Sequence, residues 1–550
     1  MSAVLHLNQQ TCRAAAGETL FECAERLGVR VPTSCRKQGR CRECVVEVTA
    51  GAAGLSERGP AERHLRGNYR LACCARVAAG AGEIRCHTLR RGELRIERHA
   101  FDLPGQGTAR RLDPAVRREG DRILLDGAEI ARRPTAIHGL ALDLGTTTVV
   151  LRLLDLETGE MRAEASFENP QRFGGSDVMA RIQYDTEDGS RTLQRILAGY
   201  LAHAIEELPV DPQTIYEVVV AGNSTMRDLF FRLPVHSIGQ SPYQSITEHD
   251  VVAGRRASTS LVERAERLGL PVHPQARAYG LPIVTGHVGA DTSAGMLALD
   301  LANEERLVAM MDIGTNTELV VGNRHRLIAA SCPAGPAFEG GQIAFGMPGL
   351  PGAIEKVEID EAGRFRTTVI GGGPAEGICG SGLVDLLGEL LRTGRMNRLG
   401  RFEDEPNPIV VEDRAEPPIT FGEADVNALA QAKGANVAGL QIAFSEYGIR
   451  AADLDVFYLA GGFGRYLNLE SARRIGLIPD LDPARVRQVG NTAIEGACIA
   501  LLSQSRRGEL ETLVRQVVHC RLETHPRFFD VFAEGCQFAP VGHSLEMPRP

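Results

Sequence analysis

In the first hundred residues the apolar positions come in short bursts rather than long runs. Val4, Leu5 and Leu7 predict a strand, and Leu20, Cys23, Ala24 and Leu27 recur at i, i+3, i+4 and i+7, the spacing of one amphipathic helix. Thr19 is placed to cap that helix and Gly28 to end it. A loop with three cysteines follows, then strand-like Cys44–Thr49, a turn over Gly51–Gly54, and further strands over Tyr69–Val77 and Ile84–Leu89. Short strands wrapped around a single helix are the order of a small β-grasp domain. The pattern then breaks. Pro104, Gly105, Gly107 and Pro134, set among repeated Arg and Asp, predict a linker over 96–136 with one hairpin over Ile123–Ile130, turning at Asp126-Gly127. From Ile137 onward apolar strands alternate with helical stretches, the pattern of an α/β fold.

That α/β part contains an echo. Ala141–Val150 reads ALDLGTTTVV and Met311–Val320 reads MDIGTNTELV, each an apolar strand, then Asp-x-Gly-Thr-x-Thr, then a second strand. The two aspartates are 169 residues apart, a domain length rather than a solenoid period, which predicts two related lobes over 137–305 and 306–550 behind a domain over 1–95. A turn of this composition offers backbone amides and hydroxyls to a phosphate, and its aspartate suits hydrated Mg²⁺. A third element, FYLAGGFG at 457–464, runs a strand into a glycine-rich turn that bare backbone would let an adenosine approach. VGADTSAGMLAL (288–299) and NTAIEGACIALL (491–502) read as helices with small faces, able to approach closely and slide as a hinge requires.

Length and composition narrow the class. The chain has 550 residues, 43% hydrophobic and 24% charged, which excludes a disordered or collagen-like protein and implies several domains. No run approaches the roughly 18 apolar residues of a transmembrane helix, and Met1–Thr11 lacks a basic region followed by an apolar one. The expectation is a cytoplasmic protein without a membrane partner. Residues 1–100 hold 17 Lys+Arg against 10 Asp+Glu, so with −9 overall the rest of the chain carries −16. The basic residues are scattered singly with no aromatic-interleaved stripe, which argues against nucleic acid.

Eight of the 13 cysteines lie in the first 86 residues, a crowding that in a reducing compartment points to metal. Cys35, Cys41 and Cys44 form C-x5-C-x2-C, and a fourth thiolate is available downstream from Cys73 or Cys74. Soft sulfur donors in that number suit an iron–sulfur cluster, and they also suit a four-cysteine zinc site, although zinc ribbons supply two close pairs and only one is present here. Arg36, Lys37, Arg40 and Arg42 make the loop basic, which fits a raised potential, docking onto an acidic surface, or a solvated rim.

These motifs resemble known families. Residues 1–95 are similar to [2Fe–2S] ferredoxins with the x5 spacing of the adrenodoxin-like group, and YRLAC at 69–73 resembles their closing ligand, so the resemblance implies Cys35, Cys41, Cys44 and Cys73 as ligands. The ordered loops and small-faced helices resemble the acetate kinase/sugar kinase/Hsp70/actin superfamily. That resemblance implies a two-lobed, ribonuclease H-like ATPase, with Gly145, Thr146 and Thr147 on the first phosphate loop and Gly314, Thr315 and Asn316 on the second. It further implies Gly461, Gly462 and Gly464 at the adenosine, Asp143 and Asp312 at Mg²⁺, and Asp291 as the carboxylate that orients the attacking water. ENPQRFGGSDVMARI (168–182), GNSTM (222–226), GPAFEGG (335–341) and GICGSGLVD (377–385) look like the reductive activators of corrinoid enzymes, with Asn169, Gln171, Glu339 and Ser381 as cleft candidates.

Membership would imply a [2Fe–2S] cluster, ATP and Mg²⁺ as cofactors. It would also imply a corrinoid protein or cobalamin-dependent methyltransferase as partner, an upstream electron donor, and a homodimer through the ATPase part. The resemblance further implies a sizeable middle domain between the ferredoxin and ATPase parts, for which only about 40 residues are left here. Three other readings stand beside it. An activator of a radical dehydratase would draw on Cys332 and Cys379, a redox-regulated ATP-binding scaffold would not turn over, and a small-molecule kinase would leave the ferredoxin part without a purpose.

Overall fold

The computed structural model describes residues 2–90, 112–133, 135–415, 417–462, 464 and 467–541. The chain divides into two units. Among the described residues the first comprises 2–90, 112–294 and 496–508, and the second comprises 295–495 and 509–541. Residues 496–508, expected with the second lobe, thus pack with the first, and the chain passes between units inside the helices Ala290–Ala298 and Thr492–Leu502.

The first unit begins with the β-grasp domain. Its five strands lie in the order Gln10–Ala14, Ala3–Leu7, Glu83–Thr88, Val45–Ala50 and Tyr69–Leu71, with the pair Ala3–Leu7 and Glu83–Thr88 parallel. The helix Leu20–Arg26 buries Leu20, Phe21, Cys23 and Ala24 against this sheet, and Thr19 and Glu22 form a reciprocal capping box at its start. The strand predicted over Tyr69–Val77 stops at Leu71. The amides of Cys74 and Ala75 both turn back to the Leu71 carbonyl, which bends the chain at Cys73. The linker prediction over 96–136 lies outside the described residues for 96–111. The hairpin within it is present as Arg122–Leu125 and Ala128–Arg132, flanked by Val116–Glu119, with Asp126 and Gly127 both left-handed as a two-residue hairpin turn requires.

The two Asp-x-Gly-Thr hairpins sit at the centre of two six-stranded sheets. In the first, His138–Leu144, Thr148–Asp155 and Met161–Glu168 form an antiparallel meander, and Ile215–Gly222 and Arg277–Gly280 then add in parallel beside His138–Leu144. In the second, Val308–Ile313, Thr317–Asn323 and Arg326–Cys332 repeat the meander, and Val456–Ala460 and Val486–Gly490 repeat the parallel additions. Five strands therefore recur with the same order and directions, which is the two-lobed α/β architecture the sequence echo implies. Between the third and fourth strands of the second copy lie extra elements, among them the helices Gly380–Arg392 and Glu423–Tyr447. No described helix is long and apolar enough to cross a membrane.

Segment 496–508 is held in the first unit by charge. Glu217, fully buried in the central strand, accepts from both terminal nitrogens of Arg507 at 3.0 and 2.7 Å and from Arg277 at 2.9 and 2.5 Å. Burial pushes the Glu217 carboxyl up, but Arg507 and Arg277 outweigh it and hold it below the usual range. Glu217→Ala would strand two cations in the core, an expected loss of about 3–5 kcal/mol in denaturant unfolding. Because the folded value is depressed, the contribution of Glu217 is complete above the ordinary carboxylate range and is lost as pH falls through the folded value. The wild-type advantage over the variant should therefore shrink in acid.

Candidate functional site

The cysteine loop between the helix Leu20–Arg26 and the strand Val45–Ala50 is coiled rather than extended. Arg36, Lys37, Gly39 and Arg42 all have left-handed backbone, which turns amides inward toward sulfur. The Gln38, Arg40 and Cys41 amides face Cys35, and the Gly39 amide faces Cys73. Gly39 has no substitute here, since at φ +69° a Cβ would stand 2.9 Å from Cys74 Sγ. Burial pushes the Cys35 thiol up, yet these amides and the Cys41 thiol hold it at about 7. Cys44 donates to Cys73 at 3.3 Å, which holds Cys73 at about 6 and drives Cys44 far up.

The four expected ligands thus come together as two pairs, Cys35 with Cys41 and Cys44 with Cys73. Two pairs of thiols are the donor set that two irons need. The residues present therefore fit a [2Fe–2S] cluster. Of the other early cysteines, Cys23 and Cys86 are buried core thiols pushed up to about 12, while Cys74 lies 3.8 Å from Cys73.

The first phosphate hairpin is fixed from behind. Asn169 donates from Nδ2 to the Gly145 carbonyl and from its backbone amide to the Thr147 carbonyl, both at 2.7 Å. Arg181 Nη2 donates to the Thr146 carbonyl at 2.7 Å, and the Thr148 carbonyl accepts from the Gly145 amide at 3.0 Å. Asn223 Nδ2 donates to Thr146 Oγ1 at 3.0 Å while its Oδ1 caps the helix Ser224–Phe230. Asn169 and Gln171 are fully buried; of the cleft and structural-turn roles open to them, Asn169 takes the second by bracing the turn, while Gln171 Nε2 donates to the Leu193 carbonyl at 3.3 Å. The brace by Asn223 and Arg181 went unassigned in the sequence, although both lie in strings that carry the family resemblance.

Asp291 stands in the first turn of Ala290–Ala298. A Cβ on Gly289 would lie 2.7 Å from Asp291 Oδ1 and 2.6 Å from Asn223 Cα, so Asp291 neighbours the residue that holds Thr146. Burial raises its carboxyl to about 6, against hydrogen bonds from Thr292.

In the second unit the hairpin is one residue tighter. Ile313 pairs with Thr317, where Leu144 pairs with Val149 in the first copy. Thr315 Oγ1 donates to the Glu339 carboxylate, which also lies near Gly314. Gly461 packs directly on this hairpin. At φ +97° its Cβ would meet Ile313 O at 2.6 Å and Asp312 Oδ1 at 2.9 Å. Gln488 Nε2 holds the turn beyond it through the Gly464 and Leu467 carbonyls. The structure therefore brings together Asp312, Gly314, Thr315, Glu339 and Gly461. Ser381 stands in the first turn of Gly380–Arg392, its hydroxyl 3.4 Å from Cys379 Sγ.

The chain matches three family models. Residues 5–78 match the 2Fe-2S iron-sulfur cluster binding domain, 138–304 the RACo middle region, and 306–547 the C-terminal domain of RACo, the ASKHA domain. The expected middle domain is thus the first lobe itself, which is why so few residues separate it from the ferredoxin part. The chain is 33% identical to the corrinoid activation enzyme RamQ of Eubacterium limosum, over 76% of this chain and 73% of that one. It is 26% identical to the [Co(II) methylated amine-specific corrinoid protein] reductase of Methanosarcina barkeri, over 74% and 78%. A solved reductive activator for corrinoid, iron-sulfur protein superposes with a TM-score of 0.70 at 27% identity, over 98% of both chains.

Two substitutions separate the sites. Cys44→Ala should abolish iron retention and the visible absorption of the protein while leaving binding of an ATP analogue in place. Gly461→Ala should do the reverse, weakening the analogue at least tenfold in calorimetry with iron content unchanged.

Proposed function

The chain belongs to the family of reductive activators of corrinoid proteins, and from that membership we propose that it is an ATP-dependent one-electron donor that returns Co(II) in the corrinoid of a partner to Co(I). The observation that carries this reading is the presence in one chain of a two-pair thiol loop and a doubled Asp-x-Gly-Thr hairpin. Bound by Cys35, Cys41, Cys44 and Cys73, a [2Fe–2S] cluster supplies one electron at a time. Plant-type clusters sit near about −400 mV, and each ~59 mV of one-electron mismatch costs tenfold in equilibrium. Co(I) formation is harder still, so ATP must supply a bias, favouring a state of the complex in which the cobalt is easier to reduce.

In this reading Gly145, Thr146 and Thr147, with Gly314, Thr315 and Asn316, receive the phosphates of ATP. Gly461, Gly462 and Gly464 receive the adenosine, and Asp143 and Asp312 hold Mg²⁺. Asp291 orients the attacking water. The partner is a corrinoid-binding protein or cobalamin-dependent methyltransferase, a low-potential donor reloads the protein, and the working form is a homodimer in a reducing cytoplasm. The dehydratase reading gains nothing from Cys332 and Cys379, both of which are buried.

The direct test mixes reduced protein, Mg-ATP and a Co(II) corrinoid protein and follows the visible spectrum. Co(I) or its methylated product should form only with ATP, and its absence with the cognate partner would sink the proposal. Asp291→Asn should lower ATP hydrolysis by about 10²-fold or more with iron content unchanged. Because Asp291 acts as a base and burial raises it to about 6, wild-type hydrolysis should fall as pH drops below about 6.

A further inference from the structure

The string at 168–182 and the rest of the helix it enters have a second set of contacts, with the ferredoxin domain. The short helix Pro170–Gly174 starts at Asn169, which holds the Gly145 and Thr147 carbonyls. Three residues further on, Arg172 pairs with Glu47 of the ferredoxin sheet and with Glu168 at 2.9 Å. Phe173 packs edge-on against Tyr69, four residues before Cys73, with ring centroids 6.4 Å apart. The next helix, Val178–Asp188, repeats the arrangement. Near its start Arg181 holds the Thr146 carbonyl, and at its end Asp188 accepts from Arg42, which lies between Cys41 and Cys44, at 2.8 Å. Asp188 is a prepared receiver, since Ser190 and Thr192 donate to the same carboxylate. Glu187 beside it pairs with Arg66 at 2.6 Å.

We infer that residues 168–188 couple the two sites, so that seating of the ferredoxin domain and nucleotide binding at 143–148 are thermodynamically linked, with Arg172 and Asp188 as positioning residues. The observation is two contiguous routes from the same turn to residues beside the cluster ligands. Linkage follows if docking holds the turn in its formed shape, because loosening either route then costs nucleotide affinity, and binding at the turn must favour docking by the same factor. Of these pairs Arg66–Glu187 is exposed, whereas the Asp188 and Glu47 carboxylates are largely buried, so breaking either of the latter strands its partner. This inference rests on the turn 143–148 being a nucleotide site.

The test measures affinity for AMP-PNP with Mg²⁺ in the cluster-loaded full chain and in ferredoxin-side variants that touch no nucleotide. Glu47→Gln and Arg42→Gln are expected to weaken AMP-PNP threefold to tenfold. The double variant Glu47→Gln/Arg172→Gln should be no weaker than Arg172→Gln alone. Glu83→Gln, on the ferredoxin sheet but paired with Arg85 and His6, serves as the control and should leave affinity unchanged. Iron content and visible spectrum show that each variant is folded and loaded. If the wild type binds AMP-PNP and both ferredoxin variants match it within error, the coupling is overturned. If the wild type does not bind AMP-PNP at all, the nucleotide reading itself has failed.

Discussion

The first lobe depends on how four peptide carbonyls are satisfied. A turn meant to receive an anion must keep its carbonyl dipoles away from the anion, and buried carbonyls must still find donors. The turn 145–148 meets both demands by giving every carbonyl a protein donor: Asn169 twice, Arg181 once, and its own Gly145 amide once. The rest of the lobe follows from placing those donors. Asn169 must sit at the end of the meander strand Met161–Glu168, Arg181 must be buried on the next helix, and Asn223 must stand at the end of the parallel strand Ile215–Gly222. Burying Arg181 completely is costly unless its nitrogens are used, and Thr146 and Gly175 carbonyls use them.

The second copy solves the same problem with a different charge. Its turn is shorter by one residue, and a carboxylate, Glu339, takes the Thr315 hydroxyl that corresponds to the Thr146 hydroxyl held by the Asn223 amide in the first copy. An amide donor leaves a turn receptive to an anion. A carboxylate makes its surroundings receptive to a cation or to a cation-bound phosphate. The two copies thus share topology while the groups that hold their turn hydroxyls differ in charge.

Much of this was legible in the residues because local rules and tertiary demands agreed. The Thr19 cap, the Asp126-Gly127 turn, the two small-faced helices and both Asp-x-Gly-Thr hairpins appear in the structure within a residue or two of where patterning put them. The failures have physical reasons. Tyr69–Val77 has the alternation of a strand, but Cys73 must leave the ladder to meet Cys44, so the strand ends at Leu71. Asn169 and Gln171 stand in a string that leaves cleft and turn roles equally open, because their partners are backbone carbonyls 24 and 22 residues away, which no local pattern encodes. Residues 496–508 were placed by sequence order, whereas Glu217, 290 residues away, decides where they pack.

The charge split of the chain also acquires a location. A basic ferredoxin head might be supposed to await an acidic partner, but part of its charge is already committed within the first unit. Arg30 reaches Glu206, Arg42 reaches Asp188, Arg66 reaches Glu187 and Arg90 reaches Glu207. All four acceptors lie on the two helices Val178–Asp188 and Thr192–Glu206 or the residue that follows them. Apolar contacts share that seat: Phe173 packs on Tyr69, and buried side chains of the ferredoxin domain continue into the core of the first lobe. The Asp188 carboxylate that receives Arg42 is itself nearly buried, and removing one partner of such a pair strands the other, so charge there fixes the register of a mixed interface.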